Sequence, residues 1–278
     1  MLNVLNTQLF RLKKSKLFWA LFIVCAALPL LGMVLSASVM AGLGDLIEDG
    51  GGAALLEILR GEGGYITLQV LGNLTAFGSD PALFSLITSS IFLSGEFTSG
   101  AIRNMVLANK SRTQIFLSFL SVALIIGFSY YGVSYAVSIL SYGLLAGFEG
   151  IAVADAVTGC VVSFLLGLLT IAFVQAIVCF FLFITRKTGG TIAFPLLVVI
   201  LLPSLVTTFV KIVEGIKVAF GQSLSAAALG WIPLHNLSMY NATAVDGALV
   251  GKIILYNGLL AALFSFFGWL ALDKCDLK

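Results

Sequence analysis

Apolar residues run in blocks of about twenty or more along this chain, divided by short polar or glycine-rich stretches. A helix of about 20 apolar residues, rising 1.5 Å each, covers the ~30 Å hydrocarbon layer of a bilayer. Six windows meet that requirement and predict transmembrane helices: 17–40, 76–95, 115–146, 157–184, 191–210 and 253–272. The second carries Asp80 and Pro81 near one end. A carboxylate at the centre of a span costs about 3 kcal/mol, which places Asp80 at the membrane interface. The third and fourth windows exceed the bilayer thickness, so they tilt or project beyond it. Pro195 and Pro203 in the fifth allow kinks, because each removes one helical hydrogen bond.

The segments between the spans have their own patterns. In residues 1–16, Leu2, Leu5, Leu9 and Leu12 recur at helical spacing, with Asn6, Gln8, Arg11, Lys13 and Lys14 elsewhere around the wheel. That pattern predicts a basic amphipathic helix lying in the inner membrane interface; a plain positive flank that fixes topology is the simpler reading. Four basic residues ahead of an apolar run also resemble a secretory signal. The run from 17 to 40 is longer than a signal core, so an uncleaved first span is expected. The segment 41–75 is acidic and glycine-rich, with room for a short helix at 53–60. Its Asp45, Glu48 and Asp49 lack calcium-loop spacing, which favours a solvated loop over a cation site. The segment 211–252 is apolar yet broken by Gly221, Gly230, Pro233 and Gly247, a composition suited to short helices dipping into the outer leaflet against protein. The connector 96–113 is polar and helix-competent, with Ile102, Met105 and Val106 on one side. It reads either as a docking face for a cytosolic partner or as a plain link between spans.

Composition excludes a water-soluble globule. Of 278 residues, 60% are hydrophobic and 10% charged, against roughly 25% charged in soluble domains; the mean hydropathy is +1.10. The distribution of charge orients the spans. With the N-terminus inside, the cytoplasmic segments hold Arg11, Lys13, Lys14, Lys16, Arg103, Lys110, Arg112, Arg186, Lys187, Lys274 and Lys278, and the outer ones only Arg60, Lys211, Lys217 and Lys252. That positive-inside bias, with an even number of spans, puts both termini in the cytoplasm. Acidic residues lie mostly outside. The four cysteines show no C-x-x-C spacing, and three fall in apolar runs where Cys acts as a small hydrophobe.

Chemistry within the predicted spans is sparse. None carries a charge near its centre, as ion-coupled transporters usually do, and Gln175 is the strongest polar group at depth. Tyr131, Tyr135, Ser138 and Tyr142 recur at i, i+4, i+7 and i+11, giving the third span a hydroxyl-bearing face. The face suits a pathway for an amphipathic substrate, or helix packing. The chain has no phosphate-binding G-x-x-x-x-G-K-[ST] loop, no H-E-x-x-H and no G-x-S-x-G turn. Its one histidine, His235, stands without catalytic partners, and no nucleophile with a base is visible at depth. No catalytic residue and no metal site is expected, and any energy for work comes from a partner.

Four features together resemble the permease subunits of type-2 ATP-binding-cassette (ABC) transporters, of the bacterial drug- and bacteriocin-export or immunity type. They are Lys13-Lys14-Ser15-Lys16 leading into the first span, and Glu96-Phe97-Thr98-Ser99-Gly100-Ala101-Ile102-Arg103-Asn104 followed by Ser111-Arg112. The others are the apolar outer segment before the last span, and the ending Asp273-Lys274-Cys275-Asp276-Leu277-Lys278. The resemblance implies an all-α integral membrane protein of a single permease domain, 1–278, with six transmembrane helices and a cytoplasmic coupling helix in 96–113. It implies a bacterial cell membrane location and two copies of an ABC ATP-binding subunit as partners. It also implies a second permease copy or a paralogous permease within the lipid bilayer, and no nucleic acid. The chain itself would bind no cofactor; ATP and Mg would act through the partner. Glu96, Phe97, Gly100, Ile102, Arg103 and Met105 match the coupling region. There Gly100 permits a tight turn and Arg103 can pair with an acidic partner surface. The long glycine-rich first outer segment departs from many relatives and leaves the substrate open. The competing reading is a non-transporting membrane sensor or assembly protein that uses the acidic outer segment as its receptor.

Overall fold

The computed structural model describes residues 2–48, 79–102, 105, 111–146, 153–201, 205 and 247–274, and all regular structure among them is helical. The helices are α1 (Leu2–Lys14), α2 (Lys16–Glu48), α3 (Ser79–Thr98), α4 (Arg112–Ala146), α5 (Val153–Thr185), α6 (Thr188–Leu196) and α7 (Gly247–Asp273). Among the described residues three stretches are long and apolar enough to cross a membrane: Arg112–Ser141, Val157–Thr185 and Gly247–Asp273. A fourth arises if the bent pair Leu5–Lys14 and Lys16–Gly32, which meet at 68°, counts as one span. Helices α3 and α6 occupy the second and fifth predicted windows.

The boundaries differ from expectation where hydropathy and helical hydrogen bonding part company. Helix α2 runs on to Glu48, so 41–48 is helix rather than outer loop, and α7 begins at Gly247, which puts Lys252 inside a helix. A hydropathy window stops at the first polar residues, whereas backbone bonding continues through any residue that tolerates helical dihedrals. The segments 49–78 and 206–246, the short helix expected at 53–60 among them, lie outside the described residues.

Helices α4 and α5 form the centre. Helix α4 packs against α1, α2, α3, α5 and α7, and α5 against α3, α4, α6 and α7. Lipid offers helices little hydrophobic reason to associate, so close backbone approach and interhelical hydrogen bonds do that work. Both occur between α4 and α5. A Cβ on Gly127 would lie 2.6 Å from Ile171 Cγ2 and 3.1 Å from Gln175 Cγ, and one on Gly167 would overlap the ring and hydroxyl of Tyr131. Tyr131 therefore lies in the groove that Gly167 leaves open, stacked on Phe164 at 5.7 Å, and donates to Ser163 O at 3.3 Å.

Helix α6 shows how polar side chains repair the backbone. Pro195 sits inside it and has no N–H for the carbonyl four residues earlier, that of Thr191. Ser90 of α3 supplies the missing donor, with its hydroxyl 2.9 Å from Thr191 O. Beyond Pro195 the helix widens into one turn of π-helix, Leu197–Leu201.

Gly167→Ala is expected to destabilise by about 1–3 kcal/mol, because the added methyl must displace the Tyr131 ring. Gly132→Ala, whose Cβ meets nothing within 4 Å, should be neutral or mildly stabilising. Thermal midpoints of the two purified variants in detergent check the pair; equal midpoints would remove the Tyr131–Gly167 contact from the account.

Candidate functional site

One end of the bundle gathers α1, the C-termini of α3, α5 and α7, and the N-termini of α2, α4 and α6. Among the described residues every Lys and Arg lies at this end except Lys252. Of the predicted coupling residues, Glu96, Phe97, Gly100, Ile102 and Met105 lie here too.

The last turn of α3 organises the corner. Glu96 is 1% exposed, and Arg11 of α1 donates to its Oε1 at 2.5 Å. A carboxylate in a C-terminal turn opposes the negative end of the helix dipole, so Glu96 needs a cation, and α1 brings one. Phe97 packs edge-on against Phe183 at 5.8 Å and Phe119 at 6.3 Å. The chain then turns at Gly100, whose φ of 71° suits glycine, with its N–H 3.1 Å from Phe97 O. After the turn Ile102 is 2% exposed, and Met105 is packed on the same core as Leu93, Ile115 and Phe183. Ile102 and Met105 thus face inward and do not present the outward docking face that their spacing suggested. The reason is local: the Gly100 turn brings Ile102 and Met105 onto the end of a core lined with aromatic rings. Residues Thr98 and Ser99 stay exposed, and Arg103, Val106 and Lys110 lie outside the described residues.

Helix α1 is likewise turned onto protein. Leu12 and Gln8 are buried, and Leu5 and Leu9 are packed on the same core. Gln8 was expected on the polar side, but it shares a face with Leu5 at i−3 and Leu12 at i+4. Its amide atoms and Glu96 Oε2 are buried with no protein hydrogen-bond partner. Two further ties close this end. Arg112, at the start of α4, donates to the terminal carbonyls of α7, Leu272 O at 3.2 Å and Asp273 O. A guanidinium there completes unpaired carbonyls and offsets the helix dipole. Trp269 donates to Thr113 Oγ1 at 3.2 Å. Between α5 and α6, Arg186 adopts a left-handed φ of 54°, its N–H 3.0 Å from Leu182 O, in a position that usually carries glycine.

Deeper in the bundle, the hydroxyl face of α4 turns onto α5. Tyr131, Tyr135 and Ser138 are all buried, and Tyr135 donates to Cys160 O at 2.7 Å while Ser138 donates to Ser134 O at 2.8 Å. Nothing is described of the Tyr142 side chain. Gln175 donates to Ser85 Oγ at 2.9 Å, and Asn257 of α7 donates to Thr170 Oγ1 at 2.7 Å. Tyr130 donates to Phe18 O at 2.8 Å beside Thr88 at 3.1 Å, joining α2, α3 and α4. Cys160 and Cys179 are free thiols. Among the described residues no group of three or more His, Cys, Asp or Glu is placed to hold a metal.

Sequence reasoning singled out Glu96 but missed its partner. Arg11 stood among the topology charges, though a lone carboxylate ending an apolar helix already asked for a cation. Comparison with protein-family models and with curated proteins gives no match.

Arg11→Gln should destabilise by about 2 kcal/mol, since it leaves a buried carboxylate without its charge-assisted donor. Glu96→Gln should cost less, and the double variant should resemble Glu96→Gln alone, a coupling that a double-mutant cycle of unfolding midpoints measures. Arg186→Gly should raise stability by about 1 kcal/mol by releasing the left-handed arginine; a lowered midpoint would mean that the side chain itself contributes.

Proposed function

We propose that the chain is the membrane-spanning subunit of an ATP-driven ABC transporter that exports an amphipathic peptide or drug, with ATP hydrolysis supplied by a separate subunit docked at the basic end. In this reading α2 and α3 to α7 are six spans, and the basic end is cytoplasmic by the positive-inside rule. The observation that carries the reading is the Arg11–Glu96 tie above the Gly100 turn. It fastens the connector between two spans to α1, which leads directly into another. A push on that connector therefore reaches α1, α3 and α4 together, as transmission from an ATPase to the membrane requires.

The exposed Thr98 and Ser99 carry the contact in this proposal, together with Arg103, which is assigned to it by its place in the sequence. Glu96, Phe97, Ile102 and Met105 hold the connector to the bundle. Tyr131, Tyr135 and Ser138 line a substrate path only in a state in which α4 and α5 part and their hydroxyls exchange carbonyl partners for substrate. That is a discrete rearrangement of packed helices rather than a standing pore.

The test is purification of the tagged chain from its own cells in mild detergent, followed by a Mg-ATP hydrolysis assay of the eluate. An ATP-binding protein is expected to copurify, and Arg103→Glu should reduce the retained ATPase by about tenfold through charge reversal at the contact. Purification without any ATP hydrolysis sinks the proposal. Loss of signalling on deletion of 45–64, with no flux in vesicles, would instead favour the sensor reading.

A further inference from the structure

The α1–α2 elbow carries chemistry that neither the bundle nor the coupling corner uses. Lys13, Lys14 and Lys16 crowd three ammonium groups into four residues, all exposed, and no described carboxylate pairs with them. Two aromatic side chains frame the cluster. Lys14 Nζ stands 4.3 Å over the Phe10 ring, an arrangement that holds the ammonium in place. Trp19 reaches back across the bend and donates to Lys13 O at 2.8 Å. Both rings are open to the surroundings, Phe10 60% and Trp19 46% exposed. From Lys16 a single stripe runs along α2 through Trp19, Ile23, Leu30 and Val34, at i, i+3, i+7, i+14 and i+18. Its apolar members are all exposed, Ile23 63% and Val34 61%.

A basic cluster that continues into an exposed apolar stripe has the two-part chemistry of one ligand. We propose that the elbow binds an anionic glycerophospholipid, its phosphate among Lys13, Lys14 and Lys16 and an acyl chain along the Ile23–Val34 stripe. A free phosphate would use the lysines and leave the stripe bare. An acidic protein surface would do the same. The usual way for an amphipathic helix to hold the interface, sinking its apolar face among acyl chains, is closed to α1, because Gln8 and Leu12 of that face are buried on protein. The charged edge and its aromatic frame take over that anchoring, at the depth where Trp residues settle in bilayers. The inference requires only that the chain sits in a membrane, and it stands whether or not the transporter reading does.

The test uses native mass spectrometry of the full chain in mixed micelles, with phosphatidylglycerol and phosphatidylcholine of identical acyl chains. Phosphatidylglycerol should be retained preferentially. Each Lys→Gln change should weaken that preference by about fivefold, the equivalent of about 1 kcal/mol per basic residue near an anionic surface. The triple variant should therefore fall to the phosphatidylcholine level. Lys→Arg at all three positions should restore binding, and Lys252→Gln should leave it unchanged. Glycerol phosphate, which has the headgroup charge but no acyl chain, should not compete. Undiminished phosphatidylglycerol retention by the triple variant overturns the proposal, as does equal competition by glycerol phosphate. Lysine variants that keep the lipid but lose a copurifying protein assign the cluster to a protein partner and overturn it as well. Should the triple variant not fold, the single variants carry the same comparison.

Discussion

A hydroxyl or amide carried into an apolar bundle has no water to turn to, so its partner must be another part of the bundle. Many serine and threonine hydroxyls in this chain return to a carbonyl of their own helix, as Ser118 and Thr170 do, but among the described residues four hydroxyls reach a backbone carbonyl on a neighbouring helix. Tyr130 finds Phe18 O, Tyr131 finds Ser163 O, Tyr135 finds Cys160 O and Ser90 finds Thr191 O. Each bond joins a different pair of helices or a different level of the same pair. Side chains that look like decoration on apolar helices are therefore what holds those helices in register. The glycines at 127 and 167 make the contacts possible by letting α4 and α5 approach closely.

Positive charge obeys the opposite rule: among the described residues, Lys252 apart, it collects at one end. There the helix dipoles and the side-chain charges are matched across elements rather than within them. Arg112 begins α4, where a cation is unfavourable, and turns to the carbonyl end of α7; Glu96 ends α3, where an anion is unfavourable, and is met by Arg11 of α1. In each case a residue that is wrong for its own helix is right for a neighbour. The end of the bundle is thereby laced together, and the proposed contact with an ATPase would push on a connected set of helix ends.

Much of this was legible in the sequence, and the losses have physical causes. The apolar blocks predicted spans at six windows, and each holds helix among the described residues, three of them long and apolar enough to cross a membrane, because hydropathy over twenty residues is a strong signal. They misplaced the ends of α2 and the start of α7 because helices continue through Asp45, Glu48 and Lys252 where hydropathy falls. Gly100 was readable as a turn since few other residues accept its dihedral angle. The direction of Ile102 and Met105 was not readable, because amphipathicity reveals that a face is apolar but not whether it meets a partner or the chain's own core. Gln8 misled for a related reason: a polar residue beside a leucine stripe follows the stripe when the helix packs on protein. The distant pairing of Arg11 with Glu96 needed the fold, although the demand for a cation did not.

The break in α6 has a mechanical meaning. Its first turn is pinned to α3 through Ser94–Thr188 and Ser90–Thr191, while the stretch after Pro195 has traded α-helical bonds for a wider turn. The helix thus changes character at Pro195, where a stub held by side-chain hydrogen bonds gives way to a turn outside the α-helical ladder. A proline and a π-turn are where a helix bends, so any bending of α6 is concentrated at that break and not spread along its length.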